Sequence, residues 1–443
     1  MLTRFSVVII LSLYCFSAST NYLDNSLIDG TSMGHFVKSA FGQQRELSLP
    51  QLNDESLRVE PVVIEQGLIF PTSMVFVDNS TILVTQKNDG NVIAIINGTV
   101  KNQPAIKVEI NNEGLKGLLG IAAMEKPSPS DHTKFIFLYF TEVYGEDHTR
   151  NGIYRYEWNQ ENQTLVNGTM ILDLPAEPES IHNGGKLEVD KNGNIYAVIG
   201  DLKREGQLQN VPGGPAADDT SVIIRITENG SAVADNPFFN SSNERMQKYY
   251  GYGIRNSFGL AIDPISGHVW DTENGDESYD EMNIVYPGFN SGWNKIMGPV
   301  SDFGREKAEL EEELMIFEGS RYADPVFSWK DPVGLTDIEF LNSTSLGPKY
   351  AYDLFVGDIN NGNLYYFELD ENRTDITSDG NNLEDLADKV ADDEQELSGI
   401  VFGSGFEEGI TDIETGPDGF LYILTFSGSI YRILPAIDDN QPD

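Results

Sequence analysis

The sequence predicts an all-β protein, a six-bladed β-propeller, and three observations carry that expectation. Short apolar stretches rich in Val, Ile, Tyr and Phe alternate with turns of Asp, Asn and Gly. From about Val62 onward this unit returns roughly every 50 to 80 residues. Helix-period segments are nearly absent; only 305–316, REKAELEEELMI, reads as helical.

Taken in order, the hairpin units fall at 78–96, 134–158, 190–226, 263–285, 352–369 and 416–434. Each pairs β-branched or aromatic residues across a turn, and the irregular spacing fits blades with loops of variable length. A two-sheet sandwich rarely needs so many strands. The early segment around Val62–Leu68 is placed to complete the last blade and remove the sheet edges. Loops on one face then converge on a central channel, where chemistry is to be sought.

Residues 1–20 have Arg4, an apolar run and then Ser17, Ala18 and Ser19, the layout of a signal peptide. An uncleaved N-terminal anchor is the alternative, and the only route to a membrane that the sequence offers. The expected organisation is therefore 1–20 signal peptide, 21–58 linker or loose arm, 59–436 propeller and 437–443 acidic tail. The expected location is secreted, outside the cell. The single cysteine, Cys15, lies in the leader, so no disulfide is expected in the mature chain.

Seventy acidic against 29 basic residues give a formal net charge of −41. Nucleic acid and anionic membranes are excluded as partners, because phosphate binding rests on Lys and Arg. Sequons for N-glycosylation begin at Asn79, Asn97, Asn162, Asn167, Asn229, Asn240, Asn342 and Asn372, which supports a glycosylated exterior.

Three stretches hold more polar and Gly-rich detail than a blade needs. The first is Ser180–Lys186, with His182 before a strand and Asp201 at the far end of the adjoining hairpin. His182 reads either as a general base oriented by Asp201 or as a turn residue capped by its own backbone. In the second, Tyr250–Gly259, Arg255 stands among Gly and aromatic residues. Its fork suits a planar anion, and pairing with a surface acid is the alternative. The third, Asp271–Glu281, is either a site for a hard cation such as calcium or a solvated acidic loop; it lacks the EF-hand pattern.

Together with GLLGIA (117–122), NSGWN (290–294), LFVGD (354–358) and TDIETGPDGFLY (411–422), these stretches resemble the glucose/sorbosone dehydrogenase family. That family comprises soluble quinoproteins that carry pyrroloquinoline quinone (PQQ) on a six-bladed propeller, and the resemblance runs from about Pro61 to Leu434. It implies that His182 takes the proton of an aldose hydroxyl while hydride passes to PQQ, and that Asp201 fixes its tautomer. It further implies that Arg255 and Asn256 contact the quinone, with Arg255 stabilising the negative oxygen of the reduced form. By the same resemblance, Gly275 and Asp276 ligate the cofactor's calcium and Glu281 a second, structural calcium. The implied partners are a sugar substrate and an external electron acceptor.

The chain departs from the family pattern at several positions. Leu115 and Lys116 stand where members have a Gln, and Ile181 where they have an Asp before the base. The positions of a Lys in the fifth blade and two Arg in the last fall near Leu341, Gly409 and Thr411, none of them basic. Each lost charge-assisted contact costs about 1.5–3 kcal/mol when fully formed. The alternative function is therefore a non-catalytic, calcium-stabilised propeller that binds glycans or cell-surface proteins. A hydrolytic reading, with a lactonase-like calcium funnel, lacks the ligands from several blades that such a site needs.

Overall fold

A computed structural model describes residues 48–64, 67–126, 133–145, 148–377 and 386–436. The signal segment, Cys15, most of the expected linker and the acidic tail lie outside them. Among the described residues the chain forms six sheets. The first holds Pro71–Asp78, Thr81–Gln86 and Asn91–Ile96, edged by Thr99–Val100 and Ile106–Lys107; the second holds Leu118–Glu125, Lys134–Tyr144, His148–Asn159 and Thr164–Pro175. The third runs through Leu187–Val189, Ile195–Ile199, Val222–Ile226 and Tyr249–Tyr252 to Phe289–Asn290 and Arg321–Tyr322. In the fourth are Ser257–Ile262, Val269–Glu273, Asp280–Val285, Phe327–Trp329 and Val390–Ala391. The fifth has Leu335–Phe340, Leu354–Asp358, Leu364–Phe367, Val401–Ser404 and Gln51–Leu52. The sixth has Ile410–Thr415, Leu421–Thr425 and Ile430–Pro435, closed by Leu57–Val63.

Local chemistry explains the hairpins. Asp190 Oδ1 accepts the backbone N–H of Asn192 at 2.8 Å and of Asn194 at 2.9 Å, so the side chain folds its own turn. Gly193 supplies the left-handed residue that this turn requires, at φ 79°. Asp263 does the same, accepting from Ile265 N at 3.0 Å. Middle strands such as Thr81–Gln86 and Ile195–Ile199 are buried along their whole length, because neighbouring sheets cover both of their faces.

The first strands of the six sheets pack in a closed cycle, each against the next and the sixth against the first. A hydrophobic cluster fills each junction. Trp270, Phe340 and Leu335 belong to the junction of fourth and fifth sheets, and Met74, Ile82 and Leu424 to that of sixth and first. Across the axis, Lys186 Nζ donates to Asp337 Oδ2 at 2.8 Å and to Asp412 Oδ1 at 2.7 Å, tying the third, fifth and sixth sheets together. The fold is an all-β propeller, and each of the six hairpin units falls in a different sheet.

Some expected boundaries move. Residues 51–58, read as part of a linker, include a strand on Val401–Ser404 and the start of the strand on Ile430–Pro435. The ring is closed by joining the N-terminal strand to the last three, so Leu57 and Val59 are buried and the propeller begins before residue 59. Within 305–316 the helix is only Lys307–Glu311. A second, Glu394–Ile400, escapes the periodicity argument and is capped by Asp393, which accepts from Gln395 N and Glu396 N.

Candidate active site

The loops that gather at one end of the axis are those that follow or precede the strands holding the expected residues. Leu115 N donates to Ser180 O at 2.7 Å, Asn274 Nδ2 to Leu335 O at 2.8 Å and Thr336 Oγ1 to Ile410 O at 2.9 Å. Thr72 Oγ1 also donates to Leu118 O at 2.9 Å. The first strand of every sheet therefore starts at this end, called the mouth below.

His182 sits in the loop before Leu187–Val189 with φ 57°, a left-handed conformation that costs a side-chain-bearing residue of order 1 kcal/mol. Its Nδ1 lies 2.6 Å from Asp201 Oδ1. The second carboxylate oxygen of Asp201 accepts the indole N–H of Trp293 at 2.9 Å, and its first also accepts Lys203 N at 2.9 Å. Both His182 and Asp201 are buried. With Asp201 as acceptor, Nδ1 carries the proton and Nε2, without a protein partner among the described residues, keeps the lone pair. Gly200 makes this approach possible: a Cβ there would stand 2.5 Å from the carbonyl oxygens of both His182 and Arg255.

Arg255 joins the same group. Its carbonyl accepts Asp201 N at 2.9 Å, and its guanidinium lies over the Trp293 ring, 5.4 Å from the centroid. The fork itself is occupied: Nη1 donates to Asn274 O at 2.9 Å and Nη2 to Asp276 Oδ1 at 2.7 Å. Asn256 is buried beside it, and Asn256 Oδ1 and Arg255 Nε have no partner among the described residues.

The expected metal residues divide into two places. Gly275 and Asp276 lie at the mouth, in a turn so tight that a Cβ on Gly275 would stand 2.2 Å from the Ser278 and Tyr279 carbonyls. Glu281 lies inside the fourth sheet, opposite Glu273, with Asp271 opposite Asn283 on the same face. All four are buried. Burial, then the charge of Glu273, pushes the Glu281 and Asp271 carboxyls well above the usual range, and burial lifts Glu273 to about 7. Both Asp271 oxygens and Asn283 Oδ1 lack partners among the described residues, an oxygen-only donor set that fits a hard cation. Among those residues only Asp392, Asp393 and Glu396 bring three carboxylates within 4.8 Å of one another, on the surface.

Sequence reasoning holds Asp271 and Glu273 only as part of the Asp271–Glu281 stretch and Trp293 only as part of NSGWN, and it does not reach Asn283. The alternation of acids at 271 and 273, facing 281 and 283, was the available signal. The position near Leu341, where the resemblance puts a lysine, lies away from the mouth. Leu341 follows the far end of Leu335–Phe340 and is fully buried; the mouth loop of that sheet is 359–362, Ile-Asn-Asn-Gly, which holds no basic residue either. Gly409 and Thr411 do lie at the mouth end of the sixth sheet, where Thr411 Oγ1 donates to Leu424 O at 3.3 Å. Two buried lysines stand at the mouth end of the first and second sheets. Lys116 donates to Thr149 Oγ1 at 3.3 Å and Lys87 to Gly114 O at 2.8 Å.

The family model for glucose/sorbosone dehydrogenases matches residues 68–432, spanning all six sheets and every one of these residues. The chain belongs to that family. Among similar proteins, the aldose sugar dehydrogenase YliI of Escherichia coli (strain K12) is 26% identical over 383 residues, 84% of this chain and 92% of the relative. The quinoprotein glucose dehydrogenase B of Acinetobacter calcoaceticus is 28% identical over 262 residues, 55% of this chain and 54% of the relative. In three dimensions the apo-form of the soluble aldose sugar dehydrogenase from Escherichia coli superposes with TM-score 0.65 at 23% identity, covering 86% of this chain and 100% of that one. The PQQ-bound aldose sugar dehydrogenase of Streptomyces coelicolor superposes with TM-score 0.63 at 19% identity, covering 87% and 99%. These superpositions bear on the fold. Within the glucose/sorbosone dehydrogenase fold, the third- and fourth-sheet half of the mouth carries the polar constellation, and the fifth- and sixth-sheet half has none of the expected cations.

Proposed function

We propose that the protein is a secreted oxidoreductase that oxidises an aldose at C1, with PQQ as hydride acceptor and calcium as its anchor, on a propeller of six blades. The observation that carries the chemistry is the His182–Asp201 contact of 2.6 Å, locked on its other side by Trp293. The tautomer it enforces leaves Nε2 as a base at the mouth. Nε2 takes the proton of the C1 hydroxyl, and the imidazolium so formed is stabilised by the buried Asp201 carboxylate. PQQ, when bound, supplies the two-electron acceptor for the C1 hydride. Arg255 and Asn256, with their unpartnered polar atoms, are the residues placed to hold it, and the Asn274–Asp276 turn to hold its calcium. The six junction clusters and the closed cycle of first strands support the blade count.

Titration of the calcium-loaded protein with PQQ tests this reading, beside a His182→Ala control. Aldose-dependent bleaching of bound PQQ in the parent but not the variant supports it. The absence of any bound PQQ refutes it.

A second reading, a non-catalytic propeller binding glycans or cell-surface proteins, is favoured by one observation. Asp276 already neutralises the Arg255 fork, and the mouth lacks cations on its fifth- and sixth-sheet side. It predicts thermal stability that depends on calcium, with no response to PQQ.

A further inference from the structure

The eight sequons lie on one face. Because the first strand of every sheet starts at the mouth and the following strands run antiparallel, turns after first and third strands lie at the opposite end. In the first sheet, Asn79 occupies the turn after Pro71–Asp78 and Asn97 the turn after Asn91–Ile96. In the second, Asn162 caps the hairpin between His148–Asn159 and Thr164–Pro175, and Asn167 is near the start of the latter strand. Asn229 and Asn240 belong to the third sheet's connection from Val222–Ile226 to Tyr249–Tyr252, again at the end remote from Arg255. Asn342 follows Leu335–Phe340 and Asn372 follows Leu364–Phe367 in the fifth. All eight asparagines are exposed. None falls in the loops that hold His182, Asp201, Arg255, Asp276 or Trp293.

Composition does not impose this. Asn183, Asn256, Asn274, Asn290, Asn360 and Asn361 all lie at the mouth end or beside it, and none is followed two residues on by Ser or Thr. Several far-face acceptors also sit where a glycan meets no packing. Asn97 has φ 50° at a hairpin tip, and Asn342 borders an open cavity of about 510 Å³ lined by Ser343, Thr415 and Asp418. The exposed Asn167 side chain donates to Glu157 at 2.8 Å; that of Asn229 donates to Glu228 at 2.9 Å and accepts from Arg155 Nη1 at 2.5 Å.

We infer that the face opposite the mouth is covered by N-linked oligosaccharides, leaving the His182 mouth as the bare face through which small molecules and a redox or docking partner approach. The covalent step is group transfer from a lipid-linked oligosaccharide pyrophosphate during secretion. The bond between sugar C1 and the phosphate oxygen breaks, a bond from C1 to the asparagine Nδ2 forms, the amide loses one proton, and the lipid pyrophosphate leaves. The coverage spans the first, second, third and fifth sheets, so flat docking of the far face against another protein is blocked sterically. This rests on the secretion in the proposed function but not on its redox chemistry, since the readout requires no quinone.

The experiment is glycopeptide mapping of the full chain secreted from a eukaryotic host, with enzymatic deglycosylation in heavy-oxygen water to tag each occupied asparagine as labelled aspartate. Occupancy at most of the eight sites, including at least one in each of the four sheets, is the expected result. Loss of one glycan's mass on Asn97→Gln and again on Asn342→Gln confirms the assignment. As a control for the mouth, Lys203→Asn with Glu205→Thr adds a sequon there; its use, seen as one added glycan, shows that the bare face is set by sequence and not by access. Occupancy at half of the native sites or fewer, or a chain secreted without glycans, overturns the inference.

Discussion

Arg255 Nη2 donates to Oδ1 of Asp276 across 2.7 Å, which spends the cation of the mouth on the chain's own carboxylate. The Arg255 side chain is nearly buried whereas that of Asp276 is 67% exposed, so water screens the pair and its net worth is of the order of 1 kcal/mol or less. A tricarboxylate ligand has to compete with Asp276 for the fork. Asp276→Asn is therefore expected to tighten PQQ binding by about three- to fivefold while calcium remains bound through the backbone of that turn. The check is a fluorescence titration at fixed calcium, and weaker binding in the variant would show that Asp276 helps the ligand instead of competing with it.

Asp201 is the residue on which the base depends. Asp201→Asn replaces an acceptor at Nδ1 by a group that can present a donor, which favours the tautomer with the proton on Nε2 and removes the lone pair from the mouth. Turnover is expected to fall by up to about 10⁴, the loss that the analogous tautomer reversal causes in a protease triad. Trp293→Phe removes one neutral donor to Asp201 and is expected to cost about 1 kcal/mol, near fivefold. Comparing kcat against KM for both variants over pH separates the roles, because a purely structural Asp201 leaves the pH profile unmoved.

Legibility from sequence tracks the range of the interaction. The hairpins were readable because Asp190 and Gly193 settle their turn within five residues of chain. His182 and Asp201 were readable because one hairpin separates them. Trp293 was not, since it meets Asp201 across 92 residues of sequence and reads by itself as one more aromatic. The two-residue strand Gln51–Leu52 has no periodicity to detect; it exists because Val401–Ser404 offers an unpaired edge. The occupied fork of Arg255 was equally hidden, because charge counting cannot say which of 70 acids lies next to a given base.

The buried set in the fourth sheet makes calcium removal testable. Asp271, Glu273 and Glu281 repel one another out of water, and a bound cation offsets that repulsion. At calcium a hundredfold above its Kd the gain is about 2.7 kcal/mol, which for a domain of this size corresponds to roughly 3 °C in Tm. Chelation is expected to lower the parent's Tm by that order. Asp271→Asn removes one charge, so its Tm in chelator should exceed the parent's and its response to calcium should shrink. An unchanged response in differential scanning calorimetry would sink the assignment of this set to a cation.

A second acidic group lines the axis beyond Lys186, and its sign with pH runs against that of an ordinary surface carboxylate. Burial lifts Glu188 to about 7 and Glu339 to about 8, with Lys186 pulling Glu188 down and Glu188 pushing Glu339 up. Asp337, Asp412 and Glu414 face the same space, and Lys186 is the cation among them. A carboxyl whose folded pKa lies above its unfolded value near 4.5 holds its proton better in the folded state. Its contribution to stability is therefore complete below about pH 4.5 and is lost as pH rises through 7 to 8. In chelator, the parent is expected to lose Tm steadily between pH 5 and pH 8. Glu339→Gln, which keeps the shape and cannot ionise, should flatten that slope and leave Tm at pH 8 above the parent's. Parallel slopes for the two proteins, measured in matched buffers, would mean that Glu339 is already solvated and contributes nothing to the pH response.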